Sequence, residues 1–368
     1  MSLPLPDNLT TAEQPYAWGK PLCDALIRQA PEDFEVEEVL GFEPEGSGEH
    51  LFVWVEKEGQ NTDYVARQLA LAAGIAPKHV AYSGLKDRHA ITRQWFSLHL
   101  PGQCWSAVEE SNQAFKGDGF QVLRCQRHSK KLKRGVHRAN KFRLRLQLTS
   151  PLNDTLGQQL TQRWHQLCQQ GAPNYFGPQR FGQQGRNLVL AARWLAQGAP
   201  MNKKQRHQQG LWLSAARSWL FNEVLAERVK QNNWNQLLVG DNLQLAGTRS
   251  RFPTSSALSS TELEALEERI NRLDLHPTGP LPGKGRSEVS DQAEGLETAC
   301  LLPWQAWVEA LAKAGAQHER RALRLCPEAG SLTLDQQEVN LTFTLPTGAF
   351  ATTLIRELVN SIESRPIE

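Results

Sequence analysis

Four ionisable side chains, Lys86, Asp87, Arg88 and His89, stand next to one another in the segment GLKDRHAITRQW. The segment follows a short apolar stretch and precedes a β-branched and aromatic one, which predicts a loop between two strands, a common place for catalytic residues. Because neighbouring cations favour the ionised form of a carboxyl group, Asp87 could act as a nucleophile at neutral pH. An ordinary turn with surface ion pairs is the alternative that these residues alone leave open.

A strongly basic segment extends from residue 124 to residue 145. It contains ten Lys or Arg residues and no Asp or Glu, whereas the whole chain has a net charge of only +2. Concentrated positive charge is typical of a surface that binds nucleic acid, because each phosphate contact releases counterions. A solvated basic hairpin without a partner is the alternative. The residues predicted to bind RNA are Lys130, Lys131, Lys133, Arg134 and Arg138.

The loop segment resembles the signature of the TruD family of tRNA pseudouridine synthases, Gly-x-Lys-Asp-[Lys/Arg]-x-Ala-x-Thr-x-Gln. The fixed positions of that signature are all present, as Gly84, Lys86, Asp87, Ala90, Thr92 and Gln94. Four further segments resemble the same family in the same order, namely PEDFEVEEVLGFEPEGSGEH, RANKF, PNYFGPQRFG and GAFATTLIREL. The resemblance therefore extends over nearly the whole chain.

This resemblance implies an α+β fold, in which a pseudouridine synthase catalytic domain with a mixed, mostly antiparallel sheet is interrupted by an inserted α/β TRUD domain. We expect residues 1–160 and 322–368 to form the discontinuous catalytic domain and residues 161–321 to form the insertion. The resemblance also implies an enzyme that isomerises uridine to pseudouridine in tRNA, at position 13 in the bacterial members, without metal or organic cofactor.

The matching segments imply a set of site residues. Asp87 corresponds to the catalytic aspartate of the family, and Phe34, Asn140, Phe142 and Phe350 stand in the other segments. Isomerisation requires the uracil to leave the base stack and to turn within a pocket. The rings of Phe34 and Phe350 could stack on the base, and the Asn140 amide could bind its polar edge or orient Asp87. Apart from the resemblance, core packing is the simpler interpretation of the three phenylalanines.

Pseudouridine synthases generally pair the aspartate with a cation, and the chain offers two candidates. Arg28 lies six residues before Phe34, where we expect Lys in many relatives, and its planar guanidinium could hold a carboxylate through two donors. Lys86, next to Asp87, is the competing candidate. The sequence leaves open whether Asp87 attacks C1′ or acts as a base through a glycal.

Hydrophobic periodicity predicts the elements that hold these residues. Asn61 or Thr62 can cap a helix that ends near Gly74. The run KFRLRLQL alternates strictly, which predicts a strand with an apolar face and a basic face. A second alternating strand begins at Val339 and leads through PTGAF into a short helix, ATTLIRELVNSI.

The middle of the chain has a different character. Residues 155–320 are rich in helical patterns, which predicts a separate domain. Within it, TGPLPGKG at residues 278–285 is predicted to be a loop, and it lacks the spacing of a phosphate-binding Walker motif. The segment PNYFGPQRFG either lines the cleft between the two domains or fixes the insertion to the catalytic domain.

Composition narrows the class of protein. With 40% hydrophobic and 22% charged residues, the chain should fold as a globular protein. Its six cysteines show neither C-x-x-C pairs nor zinc-site spacing, so we expect reduced thiols and no metal. The sequence has no apolar run of membrane-spanning length and no signal-peptide pattern at its start, which predicts a cytoplasmic protein without a membrane partner. A monomer is the default expectation.

Two other classes of function compete with the enzyme. An RNA-binding protein or RNA chaperone on the same fold would be expected to have lost the catalytic aspartate, whereas Asp87 stands in an intact motif. An RNA methyltransferase would need a glycine-rich methyl-donor loop after an early strand, and the sequence contains none.

Overall fold

The computed structural model describes residues 3–6, 9, 14–110, 115–200 and 202–363 of the 368-residue chain. These residues form an eleven-stranded sheet, a four-stranded sheet and a two-stranded ribbon, together with ten α-helices. The strands are β1 (Asp24–Ile27), β2 (Phe34–Val39), β3 (His50–Lys57), β4 (Val80–Tyr82), β5 (Ile91–His99), β6 (Lys116–Gly117), β7 (Phe120–His128), β8 (Ala139–Leu148), β9 (Ala172–Pro173), β10 (Asn242–Leu245), β11 (Arg251–Pro253), β12 (Leu275–Leu281), β13 (Glu319–Ala322), β14 (Arg324–Leu325), β15 (Glu328–Asp335), β16 (Glu338–Pro346) and β17 (Asn360–Glu363).

The helices connect and cover these strands. The α-helices are α1 (Thr62–Ala72), α2 (Ser106–Glu109), α3 (Asp154–Gln170), α4 (Pro178–Phe181), α5 (Arg186–Ala196), α6 (Arg206–Lys230), α7 (Ser260–Asn271), α8 (Asp291–Leu301), α9 (Gln305–Lys313) and α10 (Ala351–Ile355). Short 3₁₀ turns lie at Pro31–Asp33, Pro77–His79, Gln183–Gly185, Lys203–Gln205 and Leu302–Trp304. Among the described residues, no helix has the length and apolar character needed to cross a membrane.

The eleven-stranded sheet combines the two ends of the chain. Its main path has the order β15-β16-β8-β2-β5-β3-β7-β6, with β1 beside β8 and β17, and β4 beside β5. The β1–β17 and β2–β5 pairs are parallel, and the other described pairs in this sheet are antiparallel. This arrangement confirms the predicted α+β fold with a mixed, mostly antiparallel sheet. The C-terminal strand β16 joins it by pairing with β8 along its whole length.

Strict alternation on β8 and β16 builds one core. Phe142 and Leu144 on β8 and Phe343 on β16 are buried on the same face, as predicted from the sequence. Trp164 on α3 packs on this face, with its ring centroid 5.7 Å from that of Phe343. The helix α10 is shorter than predicted, but Leu358 beyond its end is still fully buried in the same core.

The basic face of β8 is partly neutralised by its neighbour β2 and by the turn that precedes β2. The side chain of Arg145 donates to Asp33 at 2.7 Å, and Arg143 lies 3.7 Å from Glu35. In the same basic segment, Arg127 on β7 forms an ion pair with Glu109. The positive charge counted along the sequence therefore overstates the positive charge that this surface offers to a partner.

The four-stranded sheet has the order β11-β10-β12-β13, and all its described pairs are antiparallel. The prediction of a loop for TGPLPGKG is wrong for its first four residues, which form the second half of β12. Gly and Pro disfavour central strands, but β12 pairs with β10 only as far as Pro277 and with β13 only from Thr278. Each proline in β12 therefore has a partner strand on one side only. A Cβ on Gly279 would lie 2.7 Å from Leu323, so glycine allows this strand to pack closely.

The division into residues 1–160 with 322–368 and residues 161–321 stays a prediction. A boundary after residue 160 would cut α3, although Leu160, Trp164 and Leu167 of this helix all pack in the core of the eleven-stranded sheet. We propose to place this boundary at Gly171, where α3 ends.

Candidate active site

A cavity of about 240 Å³ lies where β2 and β8 meet the GLKDRHA loop and the turn before α10. This volume is below the roughly 300–1,000 Å³ of pockets for drug-sized ligands, and it suits a group as small as one nucleobase. The seven residues predicted as catalytic or substrate-binding all line it. They are Arg28, Phe34, Lys86, Asp87, Asn140, Phe142 and Phe350.

Asp87 meets Arg28 at the cavity wall. Nη2 of Arg28 donates to Oδ2 of Asp87 at 3.1 Å, while the Asp87 side chain remains 46% exposed and so accessible to a substrate. Arg28 directly follows β1 and has a φ of +56°, a left-handed conformation that is unfavourable for a residue with a side chain. Such backbone strain is concentrated at functional sites. Arg28 is thus held where its guanidinium reaches both Asp87 and the ring of Phe34, whose centroid is 4.2 Å away.

Three phenylalanines give the cavity its apolar surface. Phe34 and Phe142 lie on adjacent strands, with ring centroids 6.2 Å apart and planes nearly perpendicular. Both are almost fully buried, so each also packs in the core. Phe350 is the half-buried residue immediately before α10 and lines the cavity from the other side. Core packing therefore holds for Phe34 and Phe142, and a ligand surface stays a prediction for all three rings.

Lys86 contacts groups other than the carboxylate of Asp87. Its Nζ donates to Oδ1 of Asn140 at 2.8 Å and to Oε2 of Glu38 at 3.2 Å. Glu38 is fully buried and also accepts a hydrogen bond from Ser83. Burial lowers the pKa of Lys86, and the neighbouring Glu38 opposes that effect. Of the two candidate cations, the geometry favours Arg28 as the partner of Asp87, while Lys86 orients Asn140.

The signature residues around Asp87 hold the loop in place. The side chain of Gln94 on β5 donates to the backbone oxygen of Gly84 at 3.0 Å and accepts from the hydroxyl of Thr62 at 3.1 Å. The backbone N–H of Lys86 donates to the same Thr62 hydroxyl at 3.0 Å. Thr62 is the first residue of α1, so the loop is attached to both the helix and the sheet. These hydrogen bonds give Gln94 a structural part in fixing the loop that carries Asp87.

A family model described as tRNA pseudouridine synthase D (TruD) matches residues 11–203 and 201–358 of the chain. The protein named tRNA pseudouridine synthase D from Chromohalobacter salexigens is 46% identical over 346 residues, which cover 94% of this chain and 95% of that relative. The protein of the same name from Methylococcus capsulatus is 42% identical and covers 96% of both chains. The chain belongs to the TruD family.

A solved structure supports the fold of this TruD family member. The crystal structure assigned to tRNA pseudouridine synthase D from Methanosarcina mazei aligns with a TM-score of 0.71 and covers 98% of each chain. Its sequence is only 20% identical, so this comparison concerns the fold alone.

The basic residues predicted to bind RNA lie outside the cavity of this TruD protein. Lys130, Lys131, Lys133, Arg134 and Arg138 are all exposed. Three of them line a separate groove beside Tyr82 and the start of α1, namely Lys131, Lys133 and Arg134. Arg138 lies apart from that groove, 3.7 Å from the Glu328 carboxylate.

Sequence reasoning missed three residues that lie at the cavity or contact residues that line it. Lys57, at the end of β3, donates from Nζ to the backbone oxygen of Asp87 at 2.6 Å, and burial lowers its pKa to about 8. Glu38 stands in the matching segment PEDFEVEEV, and His137 lies within the basic segment and lines the cavity. The resemblance of the segment around Glu38 was the available signal for that residue, whereas Lys57 reaches the site only through the pairing of β3 with β5.

The described residues contain no group of three or more His, Cys, Asp or Glu side chains arranged to hold a metal ion. The chemistry available at the cavity is that of an ionisable carboxylate beside a guanidinium, with an amide and aromatic rings around it.

Proposed function

We propose that this protein is a tRNA pseudouridine synthase that isomerises uridine 13 of tRNA with Asp87 as its nucleophile and without a cofactor. The observation that carries the proposal is a small cavity that Asp87 lines together with Arg28, Asn140 and Phe350. The names of the family and of its relatives supply the substrate class.

Each side chain has a distinct part in the proposed reaction. A uridine leaves the RNA stack, and its base lies against Phe34 and Phe350 while the Asn140 amide binds its polar edge. Asp87 bonds to C1′ as the N1–C1′ bond breaks and the electron pair of that bond goes to N1. After the uracil turns, C5 bonds to C1′ and the carboxylate is released; C5 then loses its proton and N1 takes one up, so that the reaction is an isomerisation. Removal of a proton from the ribose by Asp87, through a glycal, is the alternative route. Both routes use the carboxylate of Asp87, to which Arg28 donates a hydrogen bond at 3.1 Å.

The test is tritium release from tRNA that contains 5-tritiated uridine, measured for the wild type and for Asp87→Asn. Release is expected because C5 loses its hydrogen when it forms the new bond. Asp87→Asn keeps the shape of the side chain but removes its negative charge, so release should stop while tRNA binding persists.

Two outcomes would count against the proposal. Equal release by the two proteins would remove Asp87 from the mechanism. Binding of tRNA without release by either protein would favour the second class of function, an RNA-binding protein or RNA chaperone on the same fold.

Loss of release from a tRNA with cytidine at position 13 would identify the target nucleotide. We further propose that the enzyme acts as a monomer in the cytoplasm, which sedimentation and cell fractionation would test.

A further inference from the structure

Two arginines lie beside the cavity around Phe176 of the segment PNYFGPQRFG: Arg180 belongs to that segment, and Arg321 belongs to β13. Cζ of Arg321 lies 4.3 Å from the ring centroid of Phe176, and Cζ of Arg180 lies 5.1 Å from the same centroid. Arg180 also lies 5.9 Å from the ring centroid of Phe350. Two guanidinium groups thus lie close to the ring of Phe176, and that of Arg180 also lies close to Phe350, which lines the cavity.

These two arginines contact neutral groups. Arg321 donates to the backbone oxygen of Gly348 at 3.1 Å and to Oδ1 of Asn174 at 2.6 Å, and Arg180 donates to the hydroxyl of Ser214 at 2.9 Å. Within the described part of the chain, neither guanidinium forms an ion pair with a carboxylate, and the buried Nε atom of each has no hydrogen-bond partner. The pair therefore carries positive charge that no carboxylate among the described residues neutralises.

Placing two cations together without an anion is electrostatically costly. Burial, and secondarily the charge of Arg180, lower the pKa of Arg321 to about 9, and burial also lowers the pKa of Arg180. Such an arrangement is stabilised when an anion binds between the charges, and guanidinium groups suit the oxygens of phosphate because their donors lie in a rigid plane.

The position of the pair identifies which phosphate it would meet. Gln179, next to Arg180, lines the cavity that contains Asp87, and so does Gly348, which accepts the hydrogen bond from Arg321. A nucleotide whose base occupies the cavity has its two phosphates just outside the cavity wall. Contacts to phosphate position a nucleic acid without reading its sequence.

We propose that Arg180 and Arg321 together bind a phosphate that flanks the uridine held in the cavity. This inference rests on the proposed function, because it takes RNA as the substrate and the cavity as the site of the base. It gives the PNYFGPQRFG segment a part in binding the substrate, in addition to its structural contacts.

The experiment measures equilibrium binding of the full chain to tRNA in which one linkage, 5′ or 3′ of uridine 13, is a neutral methylphosphonate. For the wild type, one of the two neutral linkages should weaken binding by about tenfold or more, which is typical of a lost hydrogen bond to a charged group. Arg180→Gln and Arg321→Gln should each weaken binding to natural tRNA similarly. For each variant, making the same linkage neutral should weaken tRNA binding by less than about twofold beyond the effect of the substitution itself.

The control is Arg217→Gln, because Arg217 is a half-buried arginine on α6 that forms an ion pair with Glu319 and lies outside the cavity. It should bind tRNA as the wild type does and keep the full response to the neutral linkage. Using two separate variants, each checked by circular dichroism, guards against loss of fold in one of them.

The inference would be overturned if the wild type bound both neutral-linkage tRNAs as tightly as natural tRNA. It would also fail if the two arginine variants kept the wild-type response to the neutral linkage. Tritium release by the wild type is measured in parallel. If the wild type released tritium but bound the neutral-linkage tRNAs as tightly as natural tRNA, the phosphate site would be refuted and the proposed function would not be.

Discussion

Arg28 illustrates how a single residue links backbone strain to chemistry. Its guanidinium donates to Asp87 at 3.1 Å and lies over the ring of Phe34. We expect Arg28→Gln to lower the rate constant of tritium release at saturating tRNA by roughly 10- to 100-fold, since a hydrogen bond to a charged group is lost. Arg88→Gln is the matched control, because Arg88 is adjacent to Asp87 but donates to the backbone of Gly59. Wild-type turnover by Arg28→Gln would show that another group supports the carboxylate.

A second prediction about a single residue concerns Lys57 and the dependence of the free energy of unfolding on pH. Its side chain is only 1% exposed, and burial lowers its pKa from 10.5 to about 8. The unfolded chain therefore binds this proton more tightly than the folded chain at pH values between about 8 and 10.5, and folding becomes more favourable as pH rises through that range. From about pH 7 to about pH 9.5, the free energy of unfolding of the wild type should rise by about 2 kcal/mol relative to Lys57→Met.

Urea unfolding of both proteins at the two pH values measures this difference. The variant is required because other groups titrate in the same range with the opposite sign. Burial raises the pKa of the Cys300 and Cys326 thiols to about 11. These two groups therefore lower the free energy of unfolding as the pH rises above the usual pKa of a thiol. Parallel pH profiles for the wild type and Lys57→Met would contradict a lowered pKa for Lys57.

At the scale of elements, the packing of β12 on α6 depends on a missing side chain. A Cβ at Gly279 would lie 2.7 Å from Leu323 and 3.1 Å from Phe221, so Gly279→Ala should lower the free energy of unfolding by roughly 1–3 kcal/mol. The control is Gly210→Ala on α6, where a Cβ would meet nothing within 4 Å. Because alanine is favoured over glycine inside a helix, Gly210→Ala should raise the free energy of unfolding by roughly 0.5–1 kcal/mol. Urea unfolding measures both effects, and equal stability of the two variants would refute the close packing.

Elements with a regular hydrophobic period were predictable, and those defined by tertiary contacts were not. The alternation on β8 and β16 and the start of α1 after Asn61 follow from local sequence, and the structure confirms them. The side chain of Asn61 makes no capping hydrogen bond, so its predicted capping role is limited to its position. The strand β12 was not predicted, because its glycine and prolines are tolerated only through the particular neighbours that it has in the sheet. Short elements such as α10 also depend on burial by distant residues rather than on their own period.

The candidate site shows the same division. Asp87 and the aromatic residues could be found because their segments resemble a family. The positions of Arg28 and Lys57 relative to Asp87 could not be derived from spacing, since both contacts join residues about thirty or more positions apart. The sheet brings these residues together, and the pairing of its strands was not determined by periodicity.

At the scale of the whole molecule, the charge on the folded surface differs from the charge counted along the sequence. Counting residues suggested one basic face, but Arg127, Arg143 and Arg145 lie beside acidic groups. The exposed cations that remain in this region include Lys131, Lys133 and Arg134, which line one groove. Among the described residues, the cations that line this groove outnumber its one carboxylate, Asp63. We propose that this groove binds tRNA away from the cavity, because an excess of positive charge on one surface favours a polyanion.

Replacing Lys131, Lys133 and Arg134 together by Gln should therefore weaken tRNA binding and leave turnover at saturating tRNA close to that of the wild type. Each phosphate contact that is lost should reduce the slope of log Kd against log salt concentration by about 0.7–0.9. Binding titrations at four salt concentrations measure this slope, and a total reduction of about 2–3 is expected if each cation contacts one phosphate.

The matched control replaces Arg251, Arg269 and Arg272 by Gln. These arginines lie beside Glu288, Asp274 and Glu268, so the control removes the same amount of positive charge from sites that are already neutralised. It should leave the salt slope unchanged, because neutralised sites release few counterions. If both triple variants weakened binding equally, net charge alone would account for the affinity, and the groove would have no specific part in holding tRNA.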